Sequence, residues 1–142
     1  MWLADVNIVV AAFRDDHPGH EVARGWLRQA LDADRPVGVP SVVWSSFVRV
    51  VTNRRIYKRM TPADAAVAFI DAVSEDPGFV VTEPGPLHRR LFAESLVEGG
   101  ATGDLVPDAY LVAIAREHAA QIVTFDRDFA RFPSARHLLL TG

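Results

Sequence analysis

Short apolar runs alternate along the chain with longer amphipathic ones, and this alternation predicts an α/β fold in which helices cover both faces of a parallel sheet. Two further observations bound it. The chain has 142 residues, which at roughly 100–200 residues per domain points to a single domain spanning residues 1–142. Apolar residues make up 49% and charged residues 23%, a balance that supports a packed core and lies far from the signature of disorder.

The elements follow in order. Trp2 to Val10 reads as a buried first strand passing quickly into a short helix, and Asp15-Asp16-His17-Pro18-Gly19 as a loop. Val22, Trp26, Leu27 and Leu31 then recur at helical spacing. Val37 to Pro40 is a second short strand, and Ser41 is placed to cap a helix carrying Val43, Trp44, Phe47 and Val51. Thr61-Pro62-Ala63-Asp64 opens the next helix, with a Thr cap and Pro at the first position, and that helix runs to about Glu75. Phe79 to Thr82 is a third strand, Pro86 to Glu98 a helix, and Gly99 to Gly103 a flexible break. A helix from Leu105 to Ala120 starts around Pro107, followed by a strand Gln121 to Phe125 and a last short strand His137 to Leu140.

Several chemistries are excluded at once. Without cysteine there is no disulfide framework, thiolate nucleophile or Cys-ligated metal site. Apolar runs are short, six residues from Ile8 to Phe13 for instance, against about 20 for a membrane span, so a soluble cytoplasmic protein is expected. The five histidines form no convincing metal site: His17 and His20 share a Pro-Gly loop, and His88, His118 and His137 are scattered. Neither a nucleophile-elbow serine motif nor a phosphate-binding glycine loop is present. Trp2, Trp26 and Trp44 lie in apolar runs and belong to the core.

The net charge of −3 and the pI near 5.9 argue, taken whole, against a nucleic-acid binder. The distribution argues otherwise. Arg49, Arg54, Arg55, Lys58 and Arg59 put five of the fifteen basic residues into eleven positions with no acid between them. This is the one segment suited to holding nucleic acid or an acidic partner.

In open α/β sheets, ligands bind outside the carboxyl ends of the strands, and acids cluster there. Asp5 and Asn7 interrupt the first apolar strand and, in a strand, would face the same way. Asp104 and Asp108 flank the start of a helix, and Asp126 and Asp128 follow the strand that ends at Thr124-Phe125. Each has an ordinary role as well: Asp5 as a helix cap, Asp104 and Asp108 as first-turn acids, Asp126 and Asp128 as turn residues. Together, carboxylates converging on one sheet edge repel one another unless a cation joins them, and all-oxygen ligands suit Mg²⁺ or Mn²⁺. Such ions lower the pKa of a bound water and stabilise the leaving oxygen of a phosphodiester.

At this point the chain resembles a known family. Asp5-x-Asn7, Pro107-Asp108-Ala109 and Thr124-Phe125-Asp126-Arg127-Asp128-Phe129 look like the PIN domain, specifically the VapC-type ribonuclease toxins of type II toxin–antitoxin systems. The likeness also takes in Phe47 to Asn53 and Phe129 to Phe132, and so nearly the whole chain. It implies a Rossmann-like three-layer α/β/α sandwich, RNA cleavage dependent on Mg²⁺ or Mn²⁺, a homodimer and a VapB-type antitoxin partner. Residue by residue, it implies Asp5, Asp108 and Asp126 as metal ligands and catalytic acids, Asp128 close by and Asp104 contributing through water. Asn7 and Thr124 would orient the site. One departure is visible: many members carry a Glu on the helix after the second strand, a few residues before an Arg, and Ser46 stands in its place here.

Two alternatives remain. A degraded site would leave a binding module of the same fold, and Ser46 is the residue that favours it. A phosphotransfer domain of receiver or haloacid-dehalogenase type also places acids at strand ends, but Asn7 replaces the required second acid and the lone lysine, Lys58, lies far from a late strand.

Overall fold

The computed structural model describes residues 1–141. Four strands, β1 (Trp2–Ala4), β2 (Val37–Gly38), β3 (Gln121–Thr124) and β4 (His137–Leu139), form one sheet in the order β2-β1-β3-β4. Every pairing in it is parallel. Six α-helices are present among the described residues: α1 (Val6–Phe13), α2 (His20–Asp32), α3 (Ser41–Val51), α4 (Ala63–Ser74), α5 (His88–Gly99) and α6 (Val106–His118). None is long and apolar enough to cross a membrane.

The all-parallel sheet needs cover on both faces, and the sequence provides it. Leu3, Ala4, Ile122 and Val123 in the two central strands are fully buried. Ile8, Val9, Val10, Ala11 and Ala12 bury α1 on nearly every side, as a helix enclosed by other elements requires. It packs against α2 and α3, α3 packs against α4, and α5 pairs with α6, giving the α/β/α layering. Phe13, Trp44, Phe47 and Phe69 interlock, with ring centroids 5.1–6.1 Å apart.

The structure differs from the sequence reading where tertiary partners override local signals. The first strand stops at Ala4, because Asp5 takes the N-cap position of α1, so Asn7 is helical rather than extended. The segment after Gly78 makes a single parallel bridge, Val37 with Phe79, instead of a strand to Thr82. The strand it would pair with is only two residues long and gives way at Pro40 to α3. Ser41 is the first residue of α3 rather than its cap; its backbone N–H and hydroxyl both donate to the Glu83 carboxylate. Thr61 is likewise no cap, since Pro62 holds that position and the buried Thr61 hydroxyl accepts from Arg14. Helix α5 begins at His88 and runs on into Gly99, where any side chain would strike the Phe132 ring. Gly100 then ends it in the left-handed conformation that glycine adopts without strain.

This topology has one consequence for function. From β1 the chain crosses to β2 on one side, whereas β3 joins β1 on the other and leads to β4. The carboxyl ends of β1 and β3 therefore flank the point where the winding reverses, the position where open α/β sheets leave a crevice.

Candidate metal centre

Parallel register sets Leu3 beside Ile122 and Ala4 beside Val123, and the Asp5 N–H donates to the Val123 carbonyl at 3.0 Å. Continuation of that register brings Asp5 to Thr124. The Thr124 hydroxyl donates to Asp5 Oδ2 at 2.7 Å, while Oδ1 accepts the Val6 N–H at 2.7 Å and so caps α1. One carboxylate oxygen of Asp5 thus caps α1 while the other is held by Thr124.

Thr124, fully buried, also accepts the Asp126 N–H at 2.9 Å. Asn7 spans the same two strand ends from the first turn of α1. Its amide nitrogen lies 3.4 Å from the Thr124 hydroxyl, and its oxygen accepts the Phe125 N–H at 3.2 Å. Asp126 in turn accepts the Asp128 N–H at 2.8 Å, opening the short 3-10 helix Arg127–Arg131. Asp108 arrives from the first turn of α6, where Pro107 suits the helix start.

Carboxylate oxygens of Asp108, Asp126 and Asp128 lie within 4.8 Å of one another. Asp5 is 7% exposed and near enough that its charge acts on Asp108. Burial raises the Asp5 pKa and the charge of Asp126 adds to this, against the lowering by the Thr124 and Val6 hydrogen bonds. The Asp108 carboxyl is pushed up to about 7, by burial first and then by Asp5, Asp126 and Asp128. A helix N-terminus favours the ionised form by only ~0.3–1 kcal/mol, so repulsion and desolvation outweigh it here. Among the described residues, none of these four acids takes part in a salt bridge. The donor set is all oxygen, negative and short of cations, and it fits a hard divalent ion.

The remaining expected residues fall elsewhere. Asp104 is exposed in the 3-10 turn Gly103–Leu105 and lies outside the three-acid group. Helix α3 presents the half-buried Ser46 and has no acid of its own. Arg49, Arg54, Arg55 and Lys58 are exposed at the end of α3 and in the loop after it; Arg59 is exposed too and pairs with Asp15 at 2.6 Å.

Arg14 was not anticipated. Its buried guanidinium bonds Asp16, the Arg59 carbonyl at 2.7 Å and the Thr61 hydroxyl at 3.1 Å, and lies 4.0 Å over the Tyr57 ring. The one sequence signal was an arginine directly after the apolar α1 run and before two aspartates. Arg14 pins the basic loop to the loop that follows α1.

Residues 3–134 match the PIN domain family model. The chain is 49% identical to ribonuclease VapC25 of Mycobacterium tuberculosis over 138 residues, 97% of each chain, and 48% identical to ribonuclease VapC31 of the same species with the same coverage. Its backbone resembles VapBC2 from Rickettsia felis, solved bound to a promoter DNA fragment, with a TM-score of 0.71, 16% identity and 97% of each chain covered. It also resembles VapC20 of M. tuberculosis, described as a sarcin-ricin loop cleaving toxin, with a TM-score of 0.69, 19% identity, and 96% of this chain and 99% of that one covered. At such identities these structures show a common fold.

Proposed function

Because the chain belongs to the PIN-domain family, among the VapC ribonucleases, we propose that it is a divalent-metal-dependent endoribonuclease and the toxin of a toxin–antitoxin pair. The observation that carries this reading is the group of Asp108, Asp126 and Asp128 within 4.8 Å, with Asp5 beside it and, among the described residues, no salt bridge to any of the four.

In this reading Asp5, Asp108 and Asp126 hold Mg²⁺ or Mn²⁺, with Asp128 completing the set. The bound ion supplies positive charge at the phosphodiester and makes water a stronger nucleophile near neutral pH. The protein's share is positioning. Thr124 holds Asp5 through its hydroxyl proton and Asp126 through that residue's backbone N–H, so two acids distant in sequence are tied to one oxygen. Asn7 ties α1 to the same strand end. Asp104 has no place in the inner set, which leaves it a contact through water at most.

Arg49, Arg54, Arg55 and Lys58, exposed and outside any ion pair among the described residues, would hold RNA phosphates, and Arg59 would share its charge with Asp15. The partners in this reading are an RNA substrate, a VapB-type antitoxin and a second copy of the chain, all in the cytoplasm. The three assembled acids favour an enzyme over a degraded binding module; Ser46 in place of an acid on α3 favours one tightly held metal over two.

The direct test is cleavage of RNA with Mg²⁺ or Mn²⁺ and with EDTA, comparing the wild type with Asp5→Asn. Cleavage that needs metal and disappears in the variant, with the thermal melt retained, is the expected result. Cleavage unaffected by EDTA, or undiminished in Asp5→Asn, would overturn the proposal.

A further inference from the structure

The loop after α1 runs directly past the acidic edge. Its His17 ring lies nearly parallel to that of Phe125, with centroids 6.3 Å apart and planes 18° apart. Phe125 sits between Thr124 and Asp126, and its backbone N–H is held by Asn7. His17 is fixed independently: its Nδ1 accepts the Gly19 N–H at 2.9 Å, which leaves the neutral ring's proton on Nε2. The loop can approach only because Gly19 lacks a side chain, since a Cβ there would stand 2.8 Å from the Phe125 ring. Both rings remain partly exposed.

The sequence of contacts outward from the acids is therefore ordered. Asp126 adjoins Phe125, Phe125 stacks with His17, and His17 follows Asp15 and Asp16, which pair with Arg59 and Arg14 of the basic loop and its clamp. Proteins that bind single-stranded RNA commonly offer aromatic faces to the bases and cations to the backbone.

We infer that His17 and Phe125 form a stacking shelf for the nucleobase next to the bond that is cut, with His17 Nε2–H available as a donor to that nucleotide. The inference rests on the ribonuclease reading and adds a specificity-determining pair to it. His17 is a binding residue here, outside the acid group that performs the chemistry.

The test uses short single-stranded RNAs carrying one 2-aminopurine at successive positions, whose fluorescence falls when the base stacks. Binding is measured in an Asp108→Asn background, which should not cleave the probe, with His17 intact, His17→Ala and His17→Phe. With His17 intact, quenching should be confined to one or two adjacent positions. His17→Ala should abolish that quench and weaken binding on the order of ten-fold, whereas His17→Phe should keep the quench. In the Asp108-containing protein, His17→Ala should leave Mn²⁺ binding by calorimetry unchanged. An unchanged quench pattern and affinity in His17→Ala overturn the shelf while leaving the ribonuclease reading intact. Failure of the His17-intact protein to bind any probe, together with no cleavage by the wild type, overturns both. If His17→Ala does not fold, loss of the quench in a folded His17→Phe overturns the shelf on its own.

Discussion

Arg14 at the end of α1 and Asp5 just before its start are both charged side chains withdrawn from water, 5% and 7% exposed. Their surroundings are opposite. The guanidinium of Arg14 meets Asp16, two further oxygens and the face of Tyr57. Asp5 has good hydrogen bonds, yet the charges around it are Asp126 and Asp108, of its own sign. A buried charge that finds its counter-charge within the chain serves the fold. One that is gathered with like charges leaves part of its neutralisation to something from outside, and that deficit marks a binding site more reliably than burial does.

The largest expected effect breaks the acidic side of this contrast. Asp108→Asn should reduce metal-dependent RNA cleavage by more than about a hundred-fold, since even residues that only support metal ligands cost about 10–100-fold. Above about pH 7, where Asp108 is ionised, the same change should raise the melting temperature of the metal-free protein, because it removes one of the repelling charges. A lower melting temperature would mean that Asp108 is held by the fold in the way Arg14 is.

On the opposite side, Arg14→Met should destabilise the protein by about 2–3 kcal/mol in denaturant unfolding, as the charged hydrogen bonds of a buried guanidinium are lost. The basic loop should become more sensitive to protease in this variant, because Arg14 holds the Arg59 carbonyl and Thr61. Loss of less than about 0.5 kcal/mol would contradict the clamp.

A smaller effect appears in the pH dependence. Asp108 protonates near 7 in the folded chain against an ordinary 3.8, so the native state binds the extra proton between those values. The metal-free protein should therefore lose stability as pH rises from about 4 to about 7 and level off above that. Stabilisation by Mn²⁺ should follow the opposite course, greater at about pH 8 than at about pH 5, because protons compete for the same carboxylate. Thermal melts with and without Mn²⁺ across this range check both signs. Smallest of all, Glu83→Ala should cost about 1 kcal/mol by removing the acceptor for the first N–H of α3.

Asp5, Asp108 and Asp126 were legible because each interrupts or ends an apolar stretch, where a carboxylate needs a reason, and Asp128 by its place two residues after Asp126. Thr124 and Asn7 were legible through their places beside those acids, although Asn7 reaches the site from a helix rather than a strand. What stayed hidden depends on partners remote in sequence. Glu83 serves α3 from 42 residues away, and Arg14 reaches the Arg59 carbonyl across 45. Local propensity named Ser41 and Thr61 as caps because their types suit that position, and it carries no information about a distant carboxylate or guanidinium. The strand at Phe79 to Thr82 shrank to one bridge for a similar reason: its apolar pattern was present, but β2 offers too few residues to pair with. The mutual approach of Asp108, Asp126 and Asp128 is likewise a product of α6 packing beside β3.

The contrast between the two buried charges is tested most directly by calorimetric titration of the metal-free protein with Mn²⁺ at about pH 8, wild type against Asp108→Asn. Saturable binding that is lost in the variant is the result expected of carboxylates left without a counter-charge. No binding by the wild type, or equal binding by both proteins, would contradict it.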